Sequence, residues 1–449
     1  MKNYVKNIIE KFERNGKELL ISKSGSTITD RNEKIRSGQS YLYKKHGMES
    51  EVIEIRFNKN IVCGMLQKAY METIKRYPYF NTKLIEKDGD FYIVQNEQAL
   101  MPKRSSKLSN LGDIKCGHHL IDVTYYQNKI FISFHHALCD GKGVMPFIET
   151  LIHYYCQERY HTTSVEEGIH LAEDPLLTGE TIDPFLHKYD YDESKEFITL
   201  SRDSFAIPEN KLSDNIADYR YEIKINANDF MKVCKNNNAT PVILASILMS
   251  KGISELYPDF EKTINANIAT NIRDALDCPN TYKNCVKSMI LPYSRELAKK
   301  TLKEQATEFR QILNAQRDRD YCRKEANSMI GLFDKLDSLC GYEEKQKIMS
   351  YFDSIVLNTF VISYLGQFKL GDNSKYIDEM YLYNSGTIGL GLTMIACSDS
   401  FCVVFKQNFE SDKYVHAFCK QLELNGIKYA ASEMISFLTP TDGLMKRKR

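Results

Sequence analysis

The chain has 449 residues, 43% of them hydrophobic and 27% charged, which is enough to build two or three domains with buried cores. Its 60 basic and 59 acidic residues nearly cancel, leaving a formal net charge of +1. That balance argues against a protein whose main partner is nucleic acid or an anionic membrane.

The first half of the chain alternates strand-like and helix-like patterns. In some segments apolar and charged residues alternate, which is typical of a strand with one buried face. Between these segments, apolar residues recur every three or four positions, which is typical of a helix. Capping asparagines and a terminating proline bound the first helix. The predicted elements are a strand at 51–57, a helix from Asn58 or Asn60 to Arg76 ended by Pro78, strands at 120–125 and 129–134, and a helix at 143–160.

Residues 160–215 carry little periodic signal and contain three prolines, so we predict a long surface connection there. A boundary near residue 205 then divides the chain into two α/β domains, 1–205 and 206–449. The predicted elements of the second domain are a strand at 219–225, a short helix capped by Asn226, helices at 240–256 and 295–317, strands at 356–363, 389–396 and 401–407, and a helix at 412–424.

The most informative segment combines two histidines, an aspartate and a glycine in the pattern His135-His136-x-x-x-Asp140-Gly141. It follows an apolar strand and precedes an amphipathic helix, a junction where α/β proteins place functional side chains. A histidine such as His136 can take and return a proton at neutral pH. Asp140 can orient the turn, and Gly141 permits a close backbone approach. Four fixed residue types at fixed spacing seldom arise by chance, so the pattern indicates a catalytic site.

This segment resembles the active-site motif of the chloramphenicol acetyltransferase-like superfamily, which includes condensation domains of peptide synthetases and alcohol acetyltransferases. Other segments support the resemblance in matching order, namely Arg76–Phe80, Asn271–Arg273 with Asn284, and Ser363–Gly366. Lys283 stands where many relatives have glycine. The chain has no tryptophan, so the Asp-Phe-Gly-Trp-Gly sequence of the plant branch is absent. The chain is most similar to stand-alone alcohol acetyltransferase-like and condensation-domain-like proteins.

The resemblance implies two chloramphenicol acetyltransferase-like α/β domains, with mixed sheets flanked by helices and an active-site tunnel between them. It also implies that His136 is the general base that deprotonates the acceptor. Asp140 would be structural and paired with Arg273, while His135 and Gly141 orient the turn. General chemistry adds an oxyanion donor, either the Gly141 N–H or the Ser363 hydroxyl.

Three functions remain open at this point. The favoured one is transfer of an acyl group, expected to be acetyl, from acyl-CoA to a hydroxyl of a small or hydrophobic acceptor. The second is an amide-forming, condensation-type enzyme that acylates an amine and takes its donor from a carrier protein. The third is a non-catalytic relative, which the intact motif disfavours. In the first two the thioester is a co-substrate, and no permanently bound cofactor is expected.

The remaining reactive residues give no second site. The twelve cysteines and ten histidines show no metal-ligand spacing, so no metal is expected. Cys139 is an alternative nucleophile, but the sequence offers no second basic partner for it. No stretch approaches the ~18 apolar residues of a transmembrane helix, and the start of the chain lacks the apolar core of a signal peptide. We therefore expect free thiols, no transmembrane segment and a cytoplasmic location.

Overall fold

The computed structural model describes residues 33–43, 50–87, 89–200, 203–209, 218–354, 358–384 and 389–436. Within these ranges the strands are β1 (Glu33–Lys34), β2 (Ser50–Phe57), β3 (Thr82–Lys87), β4 (Asp90–Gln95), β5 (Lys103–Arg104), β6 (Ile121–Tyr126), β7 (Lys129–His135), β8 (Tyr219–Asn226), β9 (Ile264–Asn271), β10 (Val286–Tyr293), β11 (Phe360–Gln367), β12 (Ile377–Asn384), β13 (Leu390–Cys397), β14 (Ser400–Gln407), β15 (Tyr429–Ala431) and β16 (Ile435–Ser436).

The α-helices of the same ranges are α1 (Gln39–Leu42), α2 (Cys63–Arg76), α3 (Gly141–Tyr160), α4 (Ala227–Asn236), α5 (Pro241–Leu256), α6 (Arg295–Ala298), α7 (Leu302–Gln316), α8 (Arg319–Asp337), α9 (Tyr342–Ser354) and α10 (Lys413–Leu424). Helices α2 and α3 pack against each other, as do α5 and α10. None of these helices has both the length and the apolar character of a membrane span; only α4 and α5 taken together, across an 88° bend, reach both.

The described strands form three sheets. One has the order β1-β4-β3, a second has the order β12-β2-β7-β6-β5, and the largest has the order β10-β9-β11-β13-β14-β8-β15, with β16 also pairing with β8. The largest sheet is mixed, because β11 runs parallel to β9 and β13 whereas its other neighbouring pairs are antiparallel. Buried apolar residues from all three sheets belong to one continuous core.

Strand β12 connects the two large sheets. It comes from the C-terminal half of the chain, yet it pairs antiparallel with β2, with Asn384 opposite Glu51. The next strand, β13, pairs with β11 in the largest sheet. The second half of the chain therefore supplies an edge strand to the sheet that carries the histidine motif. The boundary near residue 205 stays a prediction.

Most predicted elements are confirmed to within a few residues, but the single helix predicted over 295–317 is wrong. The chain forms two helices there, α6 and α7. Ser294 caps the first and Thr301 caps the second, where Glu304 completes a capping box. The first backbone N–H groups of a helix have no carbonyl partner within it, and each cap supplies a side-chain acceptor for them. A second helix can therefore begin at Thr301 instead of continuing the first.

The predicted N-cap of the first helix, Asn58 or Asn60, is also wrong. Helix α2 begins at Cys63. The backbone N–H of Asn58 instead donates to the carbonyl oxygen of Tyr376, at 3.0 Å. This contact with the C-terminal half is not visible in the local sequence pattern.

The connection predicted over 160–215 contains no helix or strand in its described part, 161–200 and 203–209. It does not lie only on the surface, however. The Glu180 carboxylate forms a buried ion pair with Arg76, at 2.8 Å, and the hydroxyl of Ser37 donates to Asp183 at 2.7 Å. The connection is therefore fastened to the end of α2 and to the segment before α1. Residues 201–202 and 210–215 lie outside the described residues.

Gly143, in the first turn of α3, has no room for a side chain, because a Cβ there would overlap the carbonyl oxygen of Tyr282. We expect Gly143→Ala to lower the free energy of unfolding by about 1–3 kcal/mol, although alanine is the better helix former. Gly64→Ala in α2 is the matched control, since a Cβ there would have no neighbour within 4 Å. Urea titration would measure both. Equal stability of the two variants would contradict the close contact between Gly143 and the carbonyl oxygen of Tyr282.

Candidate active site

The histidine motif occupies the junction between β7 and α3, as predicted. Strand β7 ends at His135, and Asp140 is the N-cap of α3, where its Oδ1 accepts the Gly143 N–H at 2.7 Å. The His135 ring is fully buried, and its Nδ1 accepts the Ala137 N–H at 3.0 Å. The side chain of the next histidine, His136, keeps 7% of its surface exposed. The first histidine therefore holds the turn, and the second keeps a small exposed fraction.

Asp140 and Arg273 form the predicted ion pair, with 2.8 Å between Oδ1 and Nη2 and with side chains 1% and 3% exposed. The guanidinium also donates to the carbonyl oxygens of Thr281 and Lys283. The second carboxylate oxygen of Asp140 accepts the N–H of Cys285 at 2.8 Å. The pair thus fastens the connection between β9 and β10 against the motif turn.

That connection places Asn284 beside His136. Its Nδ2 donates to the backbone carbonyl oxygen of His136 at 2.7 Å, so its Oδ1 is the atom that lies 2.8 Å from the ring nitrogen Nδ1. An amide oxygen only accepts hydrogen bonds, which requires the proton of a neutral ring to be on Nδ1. The lone pair of the neutral imidazole is then on Nε2, as a general base requires.

Two further side chains surround the imidazole of His136. The Tyr41 ring stacks on it, with 3.6 Å between ring centroids and 9° between planes. The Glu51 carboxylate lies 3.7 Å from Nε2. Burial, with the nearby charge of Asp140, raises the pKa of Glu51 to about 8. Burial, with both carboxylates, also raises the pKa of Tyr41, so its phenol stays neutral.

None of these three neighbours belongs to the predicted site. Asn284 supported the family resemblance but had no assigned contact. In the sequence, Glu51 is one charged residue of an alternating strand, and Tyr41 belongs to no predicted element. Strand β2 pairs with β7, which brings Glu51 opposite Phe134, two residues before His136. A search for charged residues in the strand beside the motif could have found Glu51.

The raised pKa of Glu51 predicts that stability depends on pH. Between the ordinary value of 4.5 and about 8, the folded state holds a proton that the unfolded state has released. The free energy of unfolding therefore falls as pH rises through this window, by an amount on the order of a few kcal/mol.

We expect Glu51→Gln to remove this dependence. Urea titrations at about pH 5 and about pH 8.5 should show the variant close to wild type at the lower pH and more stable at the higher one. Glu72→Gln, on the exposed face of α2, is the control. If Glu51→Gln changed the free energy of unfolding by the same amount at both pH values, Glu51 would not be the group with the raised pKa.

Strand β11 carries Ser363, one of the two proposed oxyanion donors, and packs near its end on Gly141, the other. A Cβ at Gly141 would lie 2.7 Å from Cδ2 of Leu365, so the end of β11 packs closely on the first turn of α3. Ser363 is half-buried two residues earlier on the same strand, paired with Ala269 on β9 and Thr393 on β13. Its role as an oxyanion donor stays a prediction.

Cys139, the alternative nucleophile, is fully buried. Burial, followed by the charges of Asp140 and Glu51, raises the pKa of its thiol well above the usual value. The thiolate that nucleophilic catalysis needs is therefore disfavoured. Among the described residues, no three His, Cys, Asp or Glu side chains are grouped to hold a metal ion.

Comparison with known proteins gives matches in structure only. No protein-family model matches the chain, and no curated protein matches its sequence. Polyketide synthase associated protein 5 from Mycobacterium tuberculosis is similar at a TM-score of 0.58, with 10% identity over 87% of this chain and 97% of that one. F. graminearum TRI101, complexed with coenzyme A and deoxynivalenol, gives 0.55, with 11% identity over 88% and 99%. The first condensation domain of the CDA synthetase gives 0.57, with 10% identity over 88% and 96%. Coverage of nearly the whole of each chain confirms the predicted mixed α/β fold.

Proposed function

We propose that this chain, which has the chloramphenicol acetyltransferase-like fold, is an acyltransferase that moves an acyl group from acyl-CoA to a hydroxyl of a small or hydrophobic acceptor, with His136 as general base. The observation that supports this proposal most strongly is the pair of hydrogen bonds between Asn284 and His136. The Asn284 side chain donates to the His136 carbonyl oxygen and accepts from the ring, which holds the proton of the imidazole on Nδ1. Nε2 then carries the lone pair that can accept a proton from the attacking group. Acetyl is the proposed acyl group.

The mechanism needs one base and no covalent acyl-enzyme. Nε2 of His136 accepts the hydroxyl proton as the oxygen attacks the thioester carbonyl. The tetrahedral oxyanion is stabilised by the Gly141 N–H, at the positive end of α3, or by the Ser363 hydroxyl. The intermediate then expels the thiolate, and the imidazolium returns the proton to sulfur. Asn284 keeps the ring in one tautomer and orientation throughout, as an orienting residue does in other proton-transfer sites.

The proposed donor is acyl-CoA, supported by the fold shared with TRI101, whose structure contains coenzyme A. A carrier-protein thioester is the alternative, supported by the shared fold of the condensation domain. Both donors carry the same reactive bond, so the role of His136 is identical. The activated acyl group enters with the substrate, and the proposal includes no bound cofactor. The reaction would take place in the cytoplasm, in a tunnel between the two halves.

The test is thiol release from acetyl-CoA and longer acyl-CoAs with a set of small alcohols, with mass-spectrometric detection of the acylated product. Release and product that depend on both acceptor and His136 are the expected result. Turnover with acyl-pantetheine on a carrier protein, but with no acyl-CoA, would move the donor assignment to a carrier. Product formed equally well without His136 would contradict the mechanism.

A second candidate, amide formation, is favoured by one observation. The Glu51 carboxylate lies beside the same ring nitrogen that would receive the proton of the acceptor. A hydroxyl acceptor gives no role to this second titratable group.

A further inference from the structure

Two cysteines lie in contact in the connection between β9 and β10. The Sγ atoms of Cys278 and Cys285 are 3.9 Å apart, and both residues are free cysteines. A disulfide bond is about 2.05 Å long, so the two sulfur atoms would have to approach each other by about 2 Å to be joined. A rotation of two side chains, with a small shift of the connection, is enough for that.

The two thiols differ in exposure and in electrostatic surroundings. Cys278 is half-buried, whereas Cys285 is fully buried. The hydrogen bond from the Cys285 thiol lowers the pKa of Cys278, and the charge of Arg273 lowers it as well, although burial opposes both. The same contact raises the pKa of Cys285, as does burial. A partly exposed thiol that has a cation nearby and a second thiol in contact is typical of redox-sensing cysteines.

The other cysteines of the chain lack this combination. Nine of the twelve are buried, and besides Cys278 only Cys63 and Cys340 are not. Cys397 and Cys402 also share a hydrogen bond, but each is only 1% exposed, which shields the pair from an oxidant in solution.

Cys285 is connected to the candidate active site through its backbone. Its N–H donates to Oδ2 of Asp140 at 2.8 Å. The preceding residue, Asn284, is bonded to the His136 carbonyl oxygen at 2.7 Å and to the ring nitrogen Nδ1 at 2.8 Å. A misplacement of catalytic groups by about 1 Å can lower a rate about a hundredfold. Drawing Cys285 toward Cys278 would therefore weaken the hold of Asn284 on the general base.

We propose that Cys278 and Cys285 form a reversible disulfide that switches the acyltransferase off under oxidising conditions. The inference rests on the proposed function, because the switch acts through Asn284 on His136. In a reducing environment both thiols are free and the enzyme is active. Intracellular disulfides of mesophilic proteins are usually of this transient, redox-sensing kind.

The oxidant is a hydroperoxide, for which hydrogen peroxide is the probe. The Cys278 thiol loses its proton, and the thiolate attacks one peroxide oxygen. The O–O bond breaks, which gives a sulfenic acid and a hydroxide that takes up the released proton. The Cys285 sulfur then attacks the sulfenic sulfur and expels the hydroxyl group, which leaves as water with the proton of the Cys285 thiol. Two thiols and one hydrogen peroxide thus give one disulfide and two molecules of water.

The test treats the fully reduced chain with hydrogen peroxide and then removes the excess with catalase. Remaining thiols are alkylated, the disulfides are mapped by mass spectrometry of peptides, and acyl transfer is measured as acylated product. We expect a disulfide between Cys278 and Cys285, a rate lower by about tenfold or more, and recovery after dithiothreitol. Hydrogen exchange at the Cys285 N–H should be faster in the oxidised chain, because its bond to Asp140 is disturbed.

Cys278→Ser should match the reduced wild type in activity and keep that activity after peroxide treatment. Cys340→Ser, which removes an exposed thiol, is the matched control and should be inactivated as wild type is. Equal loss of activity in Cys278→Ser and wild type would overturn the inference.

The peptide map of oxidised wild type decides the question without any variant. Absence of a disulfide between Cys278 and Cys285 would overturn the inference, and so would a disulfide that leaves activity unchanged. Both results leave the proposed function intact, since reduced wild type remains active. Absence of acylation by the reduced chain with every donor and acceptor would instead overturn the proposed function, and with it the role of the disulfide as a switch.

Discussion

His136→Ala is expected to lower kcat/KM for acyl transfer about a thousandfold. General-base catalysis by a positioned side chain contributes roughly 10²–10⁴-fold, and no described residue is placed to take the proton in the same geometry. Among the described residues, Glu51 lies 3.7 Å from Nε2, but a carboxylate in its position would still lack the orienting bond that Asn284 gives to the imidazole.

The measurement is thiol release under saturating acyl-CoA, with the folded state of the variant checked by its thermal midpoint. His416→Ala is the matched control, because this histidine lies on α10 with its side chain 73% exposed. The control should keep wild-type activity. A His136→Ala enzyme that is folded and within about tenfold of wild type would remove His136 from the mechanism.

The second large effect concerns stability. Asp140→Asn and Arg273→Met are each expected to lower the free energy of unfolding by about 3–5 kcal/mol, because either change leaves a buried charge unpaired. Asp140 also caps α3, and Arg273 also holds two backbone carbonyl oxygens of the β9–β10 connection. Both substitutions should therefore release Asn284 from His136 and reduce activity, without any chemical role for the pair.

Urea titration of the two single variants and the double variant measures this effect. The double variant should lose less than the sum of the two single losses, because it leaves no lone charge. Arg319→Met is the control, since Arg319 pairs with Asp277 at 2.6 Å on the surface, with side chains 57% and 59% exposed. Breaking that pair should cost no more than about 1 kcal/mol. Additive losses in the double variant would show that Asp140 and Arg273 act independently.

Several strands were not predicted from the sequence, and the same physical reason explains each case. Strand β9, with the sequence INANIATN, alternates small and polar residues, and its order depends on pairing with β10 and β11. Strand β12 depends likewise on β2, more than 300 residues away in the chain. Strand formation rests on partners outside the local sequence, so local patterns identify such strands poorly.

The sequence by itself determined the features that depend on neighbours along the chain. The histidine motif, its place between a strand and a helix, and the caps of α4 and α5 by Asn226 and Thr240 follow from residue spacing. Strand periodicity and cap chemistry act over a few residues, so they can be read directly. The resemblance of the motif to a known family added the pairing of Asp140 with Arg273.

Only the tertiary structure decided which groups surround the imidazole of His136. Asn284 comes from the β9–β10 connection, Tyr41 from α1 and Glu51 from β2. The raised pKa of Glu51 depends on burial and on the nearby charge of Asp140, and neither is a property of its sequence neighbours. Glu51 and Glu54 lie on one strand with similar local sequences, yet their electrostatic surroundings are opposite, because the charges that set a pKa act through space.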